Sequence, residues 1–331
     1  MGHYLVTGAA GFIAFRVAEL LLEDGHTVVG VDNMNDAYDV RLKEYRLGRL
    51  LSHSGFTFHK IDVSDREAME VLVSKIGQRP DEPLFDGVIN LAARAGVRQS
   101  VENPWVYVDT NITGTLNLLE LCRQNGIPKF ILASTSSIYG ADAPLPTPED
   151  ADSDRPLQPY AASKKGAEAM CHAYHFLFDI DVTIFRYFTV YGPGARPDMV
   201  MFRFTQWISE GKPVMVNGDG EQSRGFTFVD DIARGTIAGL RPLGFEIINL
   251  GGHETIKINQ LIRILESLIG KKALVEHRPA HPADMLANHA NIEKAEELLG
   301  WRPRVSLQEG ISKLVNWYNM ERDWTSKVRT D

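Results

Sequence analysis

Residues 3–14 limit the fold more than any other stretch. A short apolar run at 3–7 ends in Thr7-Gly8-Ala9-Ala10-Gly11-Phe12-Ile13-Ala14. From 11 to 23 the apolar positions Phe12, Val17, Leu20 and Leu21 recur with helical period. A strand that turns through glycines into a helix opens a βαβ unit. Its helix N-terminus presents backbone amides to an anion. Gly8 allows the tight turn, Gly11 lets a pyrophosphate approach the backbone, and Ala14 takes the third small position.

The next buried-strand run, 27–31, is followed by Asp32, 24 positions after Gly8. A carboxylate there accepts from both ribose hydroxyls and repels a 2′-phosphate, which favours NAD over NADP. Arg41 and Lys43, in the following segment, read as surface charges. Further strand patterns lie at 56–61, 88–91, 130–133 and 182–185, with helical patterns at 66–76, at 104–124 and around Tyr160. This alternation predicts an α/β fold, a doubly wound, mostly parallel Rossmann sheet with right-handed crossovers. Asp62-Val63 closes the third strand, where a side chain can meet an adenine amino group. The N-cap of the next helix falls to Ser64 or Asp65.

Beyond residue 185 the pattern loosens, with Pro and Gly clustered at 192–197 and 217–225. Short helices are expected at 199–210, 230–240, 258–268, 292–299 and 307–318. We expect a cofactor domain over 1–180, with a strand near 245–250 returning to it, and a smaller mixed α/β substrate domain over 181–331. The polar last residues are expected to fray.

Bulk properties narrow the partners. The 331 residues carry a net charge of −8, with 44% hydrophobic and 24% charged residues. That balance disfavours nucleic acid and anionic membranes as partners. No run is long and apolar enough for a membrane span, and because a strand pattern opens directly at residue 3 no signal peptide is expected. Cys122 and Cys171 give no disulfide framework and read as buried thiols in a reducing cytoplasm. Cys171-His172-x-x-His175 lacks a full ligand set and reads as helix packing. His277, His281 and His289 are expected to bind nothing, and no metal is expected.

The chemistry concentrates in Leu157-Gln158-Pro159-Tyr160-Ala161-Ala162-Ser163-Lys164. On a helix, Tyr160 and Lys164 share a face. A free phenol, with a pKa of about 10, is a poor base at neutral pH. Bringing it to about 7 takes roughly 4 kcal/mol of differential stabilisation. A close ammonium and a cationic cofactor ring are expected to supply it. Such a phenolate takes a proton from a sugar or alcohol hydroxyl. Upstream, Ala133-Ser134-Thr135-Ser136-Ser137-Ile138-Tyr139-Gly140 ends the fifth strand, and Thr135 is placed to bond the reacting oxygen beside Tyr160.

With these pieces in order, the chain resembles the extended short-chain dehydrogenase/reductase superfamily over nearly its whole length. Thr7–Gly11, Asp32-Asn33, Asp62-Val63, Leu91-Ala92-Ala93, Thr135/Tyr160/Lys164 and Arg186-Tyr187-Phe188 carry the resemblance. Within it the chain looks most like the UDP-glucuronate 4-epimerases. The closer likeness rests on Asp32-Asn33-Met34-Asn35-Asp36-Ala37-Tyr38-Asp39, Ala95-Gly96-Val97-Arg98 and Phe188-Thr189-Val190-Tyr191-Gly192-Pro193 with Arg196-Pro197-Asp198-Met199. Leu299-Gly300-Trp301-x-Pro303 and Trp317-Tyr318 also fit.

The resemblance implies an NAD-dependent isomerase that oxidises C4 of a UDP-sugar, lets the 4-keto sugar swing, and reduces its other face. It implies cofactor contacts from Gly8, Ala10, Gly11, Phe12, Ile13, Asp32, Asn33, Asp62, Val63, Leu91, Ala92, Ala93, Tyr160, Lys164 and Tyr187. It makes Thr135, Tyr160 and Lys164 the catalytic set. Ser136, Ser137 and Thr189 become donors to the substrate carboxylate, with Arg196 close by, and Arg224, Arg98 and Arg278 become diphosphate cations. A homodimer through the helices near 104–124 and 160–178 is implied as well. The sequence departs from the family at Gly194-Ala195, where Trp-Gly is common, at Ala283-Asp284, at Ala290-Asn291 and at Asn90, where His is common. These positions bear on pocket width. A UDP-glucose 4-epimerase and a UDP-glucuronate decarboxylase share the chemistry; an NAD-sensing binding protein is the reading from another class.

Overall fold

The structure, a computed structural model, describes residues 1–77, 82–279 and 288–330. His281 and Ala283-Asp284 lie outside the described residues. In chain order the strands are β1 (His3–Thr7), β2 (Thr27–Asp32), β3 (Phe56–Lys60), β4 (Gly87–Asn90), β5 (Lys129–Thr135), β6 (Asp181–Tyr187), β7 (Thr189–Tyr191), β8 (Pro213–Asn217), β9 (Ser223–Phe228), β10 (Phe245–Leu250), β11 (Glu254–Lys257) and β12 (Leu274–Arg278). Seven of them form one sheet in the order β10-β6-β5-β4-β1-β2-β3. Every neighbouring pair in it is parallel. β5 is buried along its whole length, as a strand covered on both faces must be.

The strand order reverses between β1 and β4. The chain leaves these two strands in opposite directions, which opens a crevice at their carboxyl ends. α1 (Phe12–Glu23) covers one face with Val17 and Leu21. The other face is packed by helices Gly114–Gln124 and Pro159–Phe178, through Leu118, Cys122, Ala167 and Cys171. In the second half, β11-β9-β7 form a three-stranded sheet and β12-β8 a two-stranded one. Helix Val229–Ala238 lies against α1, where Asp230 accepts from Arg16 Nε at 2.8 Å.

The structure corrects several sequence expectations. The segment 104–124 is not one helix: it runs through Trp105–Tyr107, a π-helical turn Val108–Thr113, and Gly114–Gln124. Inside the π turn the Asn111 amide donates to the Arg94 carbonyl at 3.0 Å and to Ser163 Oγ at 2.9 Å. Those bonds hold the widened turn, as such turns often do near functional sites. α2 (Arg41–Leu50) and α3 (Arg66–Ile76) follow β2 and β3. α2 gave no helical signal because five of its ten residues are charged. It is held partly by polar heads, because Lys43 and Arg46 are both buried. The tail does not fray before residue 330: Gln206 donates to the Thr325 and Val328 carbonyls, and the Arg329 amide to Asp39. α3 is capped by Asp65, whose carboxylate accepts from the Ala68 amide.

Candidate active site

At the end of β1, Gly8 sits at φ 69°. A Cβ there would come within 2.8 Å of the Ala92 amide nitrogen, and one on Gly11 within 2.7 Å of the Gly8 carbonyl oxygen. Both positions exclude side chains and leave a bare backbone cradle. α1 has no side-chain cap, so its first amides remain available to an anion. This cradle fits a dinucleotide pyrophosphate. Ala10 and Phe12 are buried behind it, Ile13 partly so, and Leu91-Ala92-Ala93 runs past it from β4. Asn90, one of the departures from the family, accepts from Thr7 Oγ1 at 2.8 Å and donates to Thr115 Oγ1 at 3.1 Å. Its amide ties β1 to β4 beneath the turn.

Asp32 ends β2 with its carboxylate buried. It accepts from the Met34 amide at 2.7 Å and from Lys43 Nζ at 3.2 Å. Lys43 is therefore no surface charge: its side chain is 7% exposed, and its ammonium holds the candidate ribose acid. Arg41 does lie at the surface, paired with Asp39. Asn33 donates to Asp62 at 2.7 Å. Burial pushes the Asp62 carboxyl up, but bonds from Ser64 and Asn33 outweigh it and leave the pKa below its usual value. Val63 is buried and packs on Gly114, where a Cβ would lie 2.7 Å from its methyl.

At the carboxyl end of β5 the structure brings Thr135, Tyr160 and Lys164 together. Lys164 is 2% exposed, and its ammonium donates to the Ala133 carbonyl at 2.9 Å. Burial lowers its pKa to about 8. The Tyr160 phenol moves opposite to the sequence expectation. Burial raises its pKa, and a bond from Thr135 and the positive field of Arg196 only partly offset this. In this cluster it is Thr135 and Arg196, rather than Lys164, that ease the phenol down. Tyr160 also meets the Tyr107 ring edge-on at 6.1 Å. Beneath the cluster, Ser134 and Arg186 both donate to Glu168, one turn beyond Lys164.

Thr135 Oγ1 accepts from the Ser137 amide at 3.2 Å, and Ser136 is buried beside it. Thr189 opens β7, partly buried. Arg196 is forked onto Asp198, its Nε donating at 3.0 Å and its Nη2 at 2.5 Å. Tyr187 commits its hydroxyl to Thr236 at 2.8 Å. Arg224 lies on β9 and donates to the Ser223 carbonyl. Arg98 and Arg278 are exposed, on helix Val97–Glu102 and at the end of β12. His172 and His175 pack on the Phe245 ring, and His277 contacts the Gly218 carbonyl.

Sequence reasoning missed Tyr38, Lys43, Arg46, Asn111 and Glu168 as parts of the site. Each is polar and buried or half-buried, and none stands in an apolar period that would mark it as inward-facing.

Residues 4–251 match the model of the NAD dependent epimerase/dehydratase family, and the chain belongs to that family. Within the family the similarity runs to UDP-glucuronate 4-epimerases. The chain is 56% identical over 318 residues to the UDP-glucuronate 4-epimerase of Thermodesulfobacterium geofontis, covering 96% of each. The UDP-glucuronic acid 4-epimerase of Bacillus cereus, solved with UDP-glucuronic acid and NAD, matches with a TM-score of 0.88. It is 37% identical, covering 96% of this chain and 99% of that one. The UDP-glucose 4-epimerase of Thermotoga maritima, solved with UDP-glucose, matches with a TM-score of 0.87 at 32% identity, covering 97% and 99%.

Proposed function

We propose that the chain interconverts UDP-glucuronate and UDP-galacturonate by epimerisation at C4, with NAD as its resident cofactor. The observation that carries this reading is the Thr135–Tyr160–Lys164 cluster, with Ser136 and Ser137 directly downstream and Arg196 acting on Tyr160. The cradle at Gly8 and Gly11, Asp32 and the Asn33–Asp62 pair would hold the pyrophosphate, ribose and adenine. NAD held there supplies a reversible hydride acceptor. Tyr160 takes the C4 hydroxyl proton and later returns it to the same oxygen, once the sugar has turned its other face towards the cofactor. Thr135 bonds the same oxygen and keeps it in line with the phenol. Lys164 adds a positive charge on the buried side of the site.

The 4-keto uronate is a β-keto acid and loses CO₂ when its carboxylate aligns with the carbonyl π system. Ser136, Ser137 and Thr189 are assigned to hold that carboxylate out of alignment, with Arg196 near it. Each such bond is worth about 1.5–3 kcal/mol, so two or three fix the orientation. Arg224, with Arg98 and Arg278, is assigned to the diphosphate that anchors the swinging ring.

A neutral hexose is the second reading, since the fold alone matches a UDP-glucose 4-epimerase almost as well. Decarboxylation is disfavoured because the Ser-Thr-Ser-Ser run places no acid directly beside Thr135. Proton NMR of the protein incubated with NAD⁺ and either UDP-glucuronate or UDP-glucose tests this. A UDP-galacturonate anomeric signal from the first alone is expected. UDP-galactose from the second, or a UDP-pentose from the first, overturns the substrate assignment.

A homodimer through the helices at 105–124 and 159–178 is part of the proposal. Trp105 is 76% exposed and Phe176 79% exposed on these segments, which suits burial against a second copy. Light scattering is expected to give twice 37.0 kDa; a monomer mass refutes it. Among the described residues no helix is long and apolar enough to cross a membrane. The buried free thiols Cys122 and Cys171 suit a reducing cytoplasm.

A further inference from the structure

We propose that Arg46 is a positioning residue that couples the cofactor turn to the loop carrying Arg196, so that cofactor and UDP-sugar raise each other's affinity. The inference rests on the NAD reading above.

Arg46 projects from α2 and is fully buried. Its Nη1 donates to the Ala10 carbonyl at 2.9 Å, inside the cofactor turn. Its Nε and Nη2 donate to the Gly194 carbonyl at 2.9 and 2.7 Å, two residues before Arg196. A third contact runs from Nη1 to the Tyr38 hydroxyl at 2.8 Å. One rigid guanidinium plane thus sets the separation of two loops assigned to different ligands.

The loop it grips has little stiffness of its own. Gly192 and Gly194 sit at φ 149° and 71°, conformations open to glycine and costly in entropy to fix. Tyr38 extends the link. Its ring centroid lies 5.5 Å from Arg46 Cζ and 6.0 Å from Arg196 Cζ. Lys43 Nζ approaches the same ring at 5.6 Å and bonds Asp32. Three cations from the ribose side, the turn and the substrate loop therefore share one aromatic ring.

Charge points the same way. Among the described residues the bonds of Arg46 go to carbonyl and phenol oxygens rather than to a carboxylate. A buried cation without a counter-ion is costly, and an anion at the adjoining turn relieves that cost. Once a ligand fixes one loop, the shared guanidinium has fixed the other, so the second ligand orders less chain. The effect is reciprocal by thermodynamic necessity.

The test uses protein stripped of nucleotide. NADH fluorescence gives the NADH Kd with and without saturating UDP-glucuronate. That sugar holds no ketone for NADH to reduce, so the ternary complex is a dead end. The ratio of the two Kd values is the coupling factor, and general loosening of the fold cancels from it. The parent is expected to show about tenfold coupling. Arg46→Lys keeps the charge but loses the fork, and its factor is expected within about twofold of one. Equal factors in parent and Arg46→Lys overturn the proposal, as does a parent that binds NADH with a factor of one. A parent that binds no NADH overturns the cofactor reading and the coupling with it. If Arg46→Lys does not fold by circular dichroism, hydrogen exchange of the parent decides. NADH alone is expected to raise the protection of the amides at 192–196 by about threefold or more, because Arg46 ties that loop to the cofactor turn. Unchanged protection there, with NADH bound, overturns the proposal.

Discussion

Lys164→Met should change how the stability of the protein depends on pH. The side chain is 2% exposed, and burial takes its pKa from 10.5 to about 8. A shift of that size is worth roughly 3 kcal/mol. Below the folded value both folded and unfolded chains hold the proton, and the folded state bears the full cost of a buried ammonium. Between the two values only the unfolded chain holds it. The unfolding free energy contributed by this group therefore rises with pH through that window. From pH 7 to pH 9.5 the parent should gain about 2 kcal/mol relative to Lys164→Met. Urea denaturation of nucleotide-stripped protein at both pH values measures it. Tyrosine and cysteine ionisation bends both curves equally and drops out of the difference. A parent-to-variant offset constant to about 0.5 kcal/mol across the range would refute a proton lost near pH 8 from Lys164.

Three further outcomes follow from the site. Tyr160→Phe should lower turnover by about 10²–10⁴-fold while the NADH Kd from fluorescence titration stays within a few-fold; unchanged turnover removes Tyr160 from the chemistry. Thr135→Val loses the bond to the phenol and to the Ser137 amide, and turnover should fall roughly tenfold to hundredfold, read by coupled assay of product formation. Glu168→Gln breaks an ion pair whose side chains are 2% and 4% exposed. It should cost about 3–5 kcal/mol in denaturant unfolding; a loss under about 1 kcal/mol would mean that the pair is not the anchor of this helix.

The sheet was legible because its signals are local. The turn at Gly8, the run at 27–31 and the alternation that follows each fix an element, and right-handed crossovers then leave one arrangement. Asp32, Thr135 and Tyr160 were legible because they stand at strand ends or one helical turn from a partner. The residues missed are those whose role depends on distant chain. Lys43 and Arg46 look like charges on a polar helix, and only the fold reveals Asp32 on one side and Gly194 on the other. Asn111 lies in a segment that reads as one continuous helix. The π turn exists because its amide finds Arg94 and Ser163, far off in sequence. The direction of the Tyr160 shift was also hidden, since spacing shows that Lys164 is near but not that burial outweighs the bond from Thr135 and the field of Arg196.

Two buried arginines brace this site from behind, and they differ in what balances them. Arg186 is satisfied within the protein. Glu168 accepts from its Nε and Nη2, and the Glu149 carbonyl and the Tyr139 hydroxyl take Nη1. Its charge is spent on stiffness, bolting the Tyr160 helix to β6, beside the end of β5 that carries Ser134 and Thr135. That rigidity suits a proton transfer whose geometry must serve both faces of the sugar. Arg46 carries the same charge at the same depth, yet its partners are dipoles. Dipoles offset less of the desolvation cost than a carboxylate does. Among the described residues no acid pairs with Arg46; its partners there are the Ala10 turn, the Gly194 loop and Tyr38. Arg186 is thus balanced before any ligand arrives, whereas Arg46, beside the cofactor turn, keeps positive field to spare for an anion.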